Sequence, residues 1–153
     1  MLILLAFGIG VVAGLRAMLV PAAVAWAAHL GWIDLSGTWL SWLAHPWTPW
    51  IATLLAVGEL VTDKLPTTPS RKQPPAFAAR IAMGALGGAA IGIAGGALWL
   101  GLAAGAVGGI AGTLGGAAIR ARLAAALGRD LPAALIEDVA GIALAIAVLS
   151  AAA

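Results

Sequence analysis

The residues best able to do chemistry are carboxylates and arginines that interrupt an otherwise apolar chain. Glu59 and Asp63 stand four residues apart in the stretch GELVTDKLP, so they share one face of a helix. Glu137 and Asp138 lie in a second apolar segment, and Arg16 lies within VVAGLRAMLVP. Charged groups at membrane depth are costly, and they persist where they are paired or functional. The sequence therefore predicts a site for a cation, a proton or a small polar solute. The predicted site residues are Arg16, Glu59, Asp63, Arg120, Glu137 and Asp138.

Two interpretations of these charges stay open. In the first, Arg16 and Arg120 neutralise two of the four carboxylates, and the others bind a cation or proton in a small transporter or channel-like protein. In the second, the charges form an ion-pair network that only fixes the helices, in a structural or accessory membrane subunit. A lipid enzyme that binds a phosphate ester through a metal is a third alternative.

Catalytic motifs are missing from the sequence. It contains no HExxH, GxSxG, P-loop or paired CxxC pattern, and it has no cysteine at all. We therefore expect no enzyme activity, no catalytic residue, no bound metal and no cofactor. The small net charge of +2 gives no reason to expect a nucleic-acid partner.

The composition indicates a protein whose solvent is a bilayer. Of its 153 residues 63% are hydrophobic and only 9% are charged, whereas a soluble domain is about 25% charged. So few charges could not cover a soluble surface. We expect one integral membrane domain over 1–153, in the inner membrane of a bacterium.

The apolar segments predict an all-α bundle of transmembrane helices. A helix needs about 20 apolar residues to span a bilayer. The predicted helices cover residues 3–30, 48–65, 77–98, 101–120 and 132–152. We expect a kink between Gly14 and Pro21, because Pro21 lacks a backbone donor, and a turn at Trp99. A short amphipathic helix at the interface is predicted over 39–47, where tryptophans and leucines recur.

Basic and aromatic residues predict how this bundle is oriented. With five helices, the loops near Lys64 and Arg129 fall on one side, and the seven tryptophans fall near the other. Basic loops stay in the cytoplasm, and tryptophan prefers the membrane interface. The sequence therefore predicts a multi-pass protein with a cytoplasmic N-terminus and an external C-terminus.

Glycines at four-residue steps predict close packing between helices. In lipid, small residues let helix backbones approach each other, and dispersion then holds the helices together. The glycines assigned to this role are Gly84, Gly88, Gly92, Gly96, Gly105, Gly109, Gly112 and Gly116. They could pack a hairpin inside one subunit, or one stripe could also be a contact between copies. We expect the bilayer and a second copy, in a dimer, as partners.

Four motifs together resemble a known family. They are GLRAMLVP from Gly14, GELVTDKLP from Gly58, AIRARL from Ala118 and IEDVAG from Ile136. Their order is similar to that in small bacterial integral membrane proteins grouped as a domain of unknown function, in the four-thousands of that series. The resemblance covers most of the chain. It implies the membrane class and the candidate positions but no substrate.

Overall fold

The computed structural model describes residues 1–65, 67 and 70–153, and their regular structure is helical, with no strand among them. The helices are α1 (Leu2–Leu15), α2 (Leu19–His29), α3 (Thr48–Thr62), α4 (Pro74–Ala94), α5 (Leu98–Leu127) and α6 (Asp130–Ser150). Three of them, α4, α5 and α6, are long and apolar enough to cross a membrane, whereas α1, α2 and α3 are shorter apolar helices. The prediction of an all-helical membrane protein is confirmed at this level. The predicted count of five helices is wrong.

The first predicted helix, 3–30, is two helices separated by a break. Arg16 has an extended backbone conformation (φ −144°, ψ 108°) and ends α1, and α2 starts at Leu19. The predicted kink between Gly14 and Pro21 is therefore present, but it is a complete interruption. Pro21 does not cause it, because Pro21 lies in the first turn of α2, where a missing N–H costs little.

The chain reverses direction at this break. α1 begins where Leu2 approaches Gly95, at the end of α4, and it ends where Leu15 contacts Arg80 near the start of α4. α1 is therefore antiparallel to α4.

The second helix of the pair runs back along α3. Met18 contacts Glu59 near the end of α3, and Trp26 contacts Thr53 earlier in that helix. α2 is therefore antiparallel to α3. Because α3 runs toward Arg16 and α4 runs away from it, α1 and α2 form a helical hairpin with its turn at Arg16–Met18.

This hairpin changes where the N-terminus lies. A Cβ on Gly8, in the middle of α1, would lie 2.9 Å from Cγ2 of Val148, near the end of α6. Leu15, at the end of α1, instead approaches Gly141 earlier in α6. The chain therefore begins and finishes at the same end of the bundle, opposite the basic residues. The prediction that the N-terminus shares an end with the basic loops is wrong, because it assumed that residues 3–30 cross only once.

Other predicted boundaries also shift. The turn expected at Trp99 lies at Gly95–Ala97, and Trp99 belongs to α5. Gly96 is a turn residue with φ +72°, a value that favours glycine, and nothing lies near a Cβ built on it. Its assignment to helix packing is therefore wrong. The amphipathic helix predicted over 39–47 is only a 3-10 helix, Ser41–Ala44.

Backbones meet closely where α5 packs between α1 and α4. A Cβ on Gly84 would lie 2.5 Å from the carbonyl oxygen of Gly105, and one on Gly109 would lie 2.9 Å from that of Arg80. On the other face of α5, a Cβ on Gly108 would lie 2.9 Å from Cα of Gly10. Real side chains do not approach backbone atoms this closely, so these helices pack at a distance that only glycine permits.

Candidate functional site

Ten charged residues meet at one end of the bundle, around the turn of the α1–α2 hairpin. Five are basic and five are acidic, and each is joined to at least one other by an ion pair. We call them the charged cluster: Arg16, Glu59, Asp63, Lys64, Arg71, Arg80, Arg120, Asp130, Glu137 and Asp138. Every helix except α2 contributes a residue or ends beside one, so the cluster ties the bundle together.

Glu59 holds the α2 side of the helix break. Its Oε1 accepts a hydrogen bond from the backbone N–H of Ala17 at 2.9 Å, and its Oε2 accepts one from Met18 at 2.8 Å. The first N–H groups of a helix have no partner within the helix. A carboxylate there also interacts favourably with the positive end of the helix dipole. Glu59 therefore caps α2 from a neighbouring helix.

Arg80 holds the other side of the break. Its Nη1 donates to the carbonyl oxygens of Gly14 and Leu15, at 2.9 and 2.8 Å, which have lost their helical partners. Nη2 of Arg80 lies 3.5 Å from Oε1 of Glu59, so the two clamping side chains also pair with each other. Non-helical backbone inside a membrane must have its polar groups satisfied. Glu59 and Arg80, which we call the break clamp, satisfy that requirement.

Arg16 is the centre of the cluster, and its side chain is completely buried. Nε donates to Oδ1 of Asp138 at 2.7 Å, and Nη1 lies 3.0 Å from Oδ2 of Asp63. Nη2 lies 2.6 Å from Oδ1 of Asp138 and 3.5 Å from Oε2 of Glu137, but neither contact has hydrogen-bond geometry. Nη2 therefore gains from charge attraction only.

The remaining contacts spread outward from Arg16 toward the solvent end. Arg71 pairs with Glu137 through two parallel contacts of 2.5 and 2.8 Å, the bidentate geometry that makes such pairs strong. Arg120 contacts Asp63 at 2.5 Å, Asp130 at 2.6 Å and Glu137 at 3.3 Å. Asp63 thus lies between the buried Arg16 and the more accessible Arg120.

All six residues of the predicted site lie in the charged cluster, although their use as a binding site stays a prediction. Sequence reasoning missed Lys64, Arg71, Arg80 and Asp130. It used Lys64, Arg71 and Arg80 only as basic residues that mark the cytoplasmic end, although Arg80 stands six residues inside α4. An arginine that deep in an apolar helix was the available signal.

The expected surplus of carboxylates is wrong. Arg16 and Arg120 do not act alone, because Lys64 contacts Asp138 at 2.5 Å, Arg71 binds Glu137, and Arg80 pairs with Glu59. Five cations therefore balance five carboxylates. Among the described residues, no group of acidic, histidine or cysteine side chains is placed to hold a metal ion.

A cleft of about 350 Å³ leads from the basic end of the bundle to the cluster. It is lined by Asp63, Leu65, Ser70, Arg71, Ala117, Arg120, Ala121 and Asp130. Its walls carry guanidinium, carboxylate and hydroxyl groups, so it could bind a charged or polar solute. Arg120 lines this cleft together with its partners Asp63 and Asp130.

The chain belongs to the DUF4126 family, a domain of unknown function whose family model matches residues 3–153. This confirms the resemblance seen in the four sequence motifs. None of the curated proteins and none of the solved structures matches the chain. The family carries no assigned activity, so function has to be argued from the charged cluster itself.

Proposed function

We propose that the protein is a small membrane transport protein that moves an ion or a small polar solute through the charged cluster. One observation carries the proposal: a helical hairpin is interrupted inside an apolar bundle, and its open backbone is held by the ionisable side chains of Glu59 and Arg80. Membrane transporters commonly form their sites at such discontinuous helices. Irregular backbone at membrane depth is otherwise rare.

The orientation that fits this proposal places the charged cluster toward the cytoplasm. All eight basic residues lie at the cluster end, and basic residues favour the cytoplasmic side. Both chain termini then lie outside, because the hairpin puts Leu2 and Ser150 at the far end. We place the protein in the inner membrane of a bacterium, with the cleft open to the cytoplasm.

A solute would enter by exchanging partners within the cluster. Oδ2 of Asp63 lies 3.0 Å from Nη1 of Arg16 and 2.5 Å from Nη1 of Arg120, so both arginines share one oxygen. Because the cluster is balanced, an incoming charge has to replace one of these partners. Asp63 and Arg120 are each about 13% exposed, whereas Arg16 is fully buried. We therefore assign the first exchange to the Asp63–Arg120 pair.

A second candidate function keeps the same charges without transport. A structural or accessory membrane subunit would use the cluster only to lock its helices, a role that the balanced pairing also permits. In either case we propose a homodimer, because a bundle with three span-length helices is small for a complete transport path. Cross-linking in native membranes tests the dimer.

Flux in proteoliposomes separates the two functions. We would impose a membrane potential and measure proton flux and the flux of a panel of small cations and anions. The variants are Asp63→Asn, which removes the shared charge, and Asp34→Asn, the same chemical change at an exposed aspartate of the far end. Transport predicts flux in the native protein and in Asp34→Asn, with at least a tenfold loss in Asp63→Asn.

Folding is followed in parallel, because Asp63 is also a structural partner of Arg16. A folded Asp63→Asn variant without flux supports the transport site. Absence of flux from all three proteins, with Asp63→Asn less stable to heat, would contradict transport and support the accessory subunit.

A further inference from the structure

An apolar groove runs along α2 between α3 and α6, outside the charged cluster. α3 and α6 each pack on α2 but have little contact with each other, so a space of about 390 Å³ opens between them. Its walls are apolar side chains, among them Ala23, Ala56, Val57 and Ile146. It follows α2 from Leu19 to Leu30, a length of about 16 Å at the rise of a helix.

The groove has chemically different ends. Trp26 and Trp32 line one end, where α2 finishes. At the other end the lining residues are Leu60 and Ile142, and each lies one helical turn from a charged residue of the cluster: Lys64 after Leu60, and Asp138 before Ile142. The Lys64–Asp138 ion pair at 2.5 Å therefore closes the groove at its basic end.

Lys64 has hydrogen-bonding capacity left for a ligand. An ammonium has three donors, and among the described residues Nζ has two acceptors, the carbonyl oxygen of Leu60 at 2.7 Å and Oδ2 of Asp138. Its side chain is 20% exposed, the most of any basic side chain in the cluster. The surrounding end of the molecule carries all eight basic residues and five of the six carboxylates, so it attracts anions.

We propose that this groove binds one anionic phospholipid of the cytoplasmic leaflet, with an acyl chain along α2 and the phosphate at Lys64. A volume of about 390 Å³ with almost entirely apolar walls, next to an ion pair beyond one end, is typical of a ligand site. Anionic lipids are concentrated at the cytoplasmic surface, where each nearby lysine contributes about 1 kcal/mol to their attraction. The site shares Lys64 with the charged cluster and rests on the proposed cytoplasmic orientation of that end, but its test measures lipid retention and not solute flux.

The test uses native mass spectrometry of the full-length protein in micelles that contain equal amounts of dioleoyl phosphatidylglycerol and dioleoyl phosphatidylcholine. We expect the native protein to retain phosphatidylglycerol preferentially. Lys64→Gln should reduce that preference about fivefold, and Lys64→Arg should keep it. The control is Lys72→Gln, which removes an exposed charge at the same end but away from the groove. An equal loss in both glutamine variants would mean diffuse attraction and would overturn the site.

A second pair of variants tests the groove itself. Ala23→Leu should fill it and reduce retention of both lipids. Ala104→Leu makes the same change at a half-buried alanine of another surface groove, between α1 and α5, and should have no effect. If Ala23→Leu leaves lipid retention unchanged and converts a dimer to a monomer, the groove is a contact between copies and the lipid proposal is wrong.

Discussion

The glycine faces of α4 and α5 and the charged cluster hold the same helices together by different physics. At the glycine faces, a Cβ on Gly105 would lie 2.8 Å from Cα of Gly88, so the distance between backbones decides stability. In the cluster, the long side chains of Arg16 and Arg80 bridge helices, so stability depends on the sign of each charge. We therefore expect side-chain volume to limit substitutions at the glycine faces, and side-chain charge to limit them in the cluster.

The largest expected effect is a change of volume at the glycine face. Gly105→Ala should prevent folding, because its Cβ would meet the backbone of α4 at Gly84 and Gly88. The measurement is the yield of monodisperse protein after extraction from the membrane. Gly115→Ala is the matched control in the same helix, since nothing lies within 4 Å of that Cβ. Equal yields of the two variants would show that the close backbone contact at Gly105 does not limit folding.

The second-largest effect is expected from the removal of the most buried charge, at Arg16. Arg16→Gln leaves Asp138 and Asp63 without their central partner, and removing one member of a buried pair costs about 3–5 kcal/mol. We expect a loss of that size in the free energy of unfolding, measured by titration with SDS in mixed micelles. Arg122→Gln, an exposed arginine of α5, should change it by less than about 0.5 kcal/mol. A similar loss in both variants would contradict the central role of Arg16.

A smaller and more local effect is expected at the break clamp. Glu59→Gln offers one acceptor oxygen where two backbone N–H groups now bind. One unsatisfied N–H costs about 1–3 kcal/mol. Hydrogen exchange at Ala17 and Met18 should accelerate roughly 5- to 150-fold, while exchange in α5 stays unchanged. Unchanged protection at both amides would show that Glu59 does not hold the turn.

The smallest effect is expected outside both regions, at Asp34. Its hydrogen bonds from Ser36 lower the pKa of Asp34 below the usual value. A lowered pKa in the folded state contributes stability above the unfolded pKa and loses it as the pH falls through the folded value. Because Asp34 is exposed, Asp34→Asn should leave the melting temperature unchanged at pH 7 and at pH 5. A clear loss at pH 7 would reveal a further stabilising region.

Much of the architecture could be predicted because lipid imposes strong rules on composition. The excess of apolar residues gave the all-helical membrane class, and scarce charges pointed to Arg16 and to the pairs Glu59–Asp63 and Glu137–Asp138. The role of Arg80 was missed, because a residue near a helix start can face a headgroup or a neighbouring helix. In the structure, Nη1 of Arg80 lies 2.9 Å from the carbonyl oxygen of Gly14, which is distant in the chain. This contact shows that Arg80 faces a neighbouring helix.

The residue types alone indicate that this chain is apolar and helical and has few charged residues. The reversal of residues 3–30 at Arg16 depends instead on contacts between helices that are distant in the chain. The hydrophobicity of an apolar run is the same whether the run forms one long helix or two short antiparallel helices. The break is stable because Glu59 and Arg80, brought from α3 and α4, bind the backbone groups that it opens. Those partners exist only once the bundle has formed.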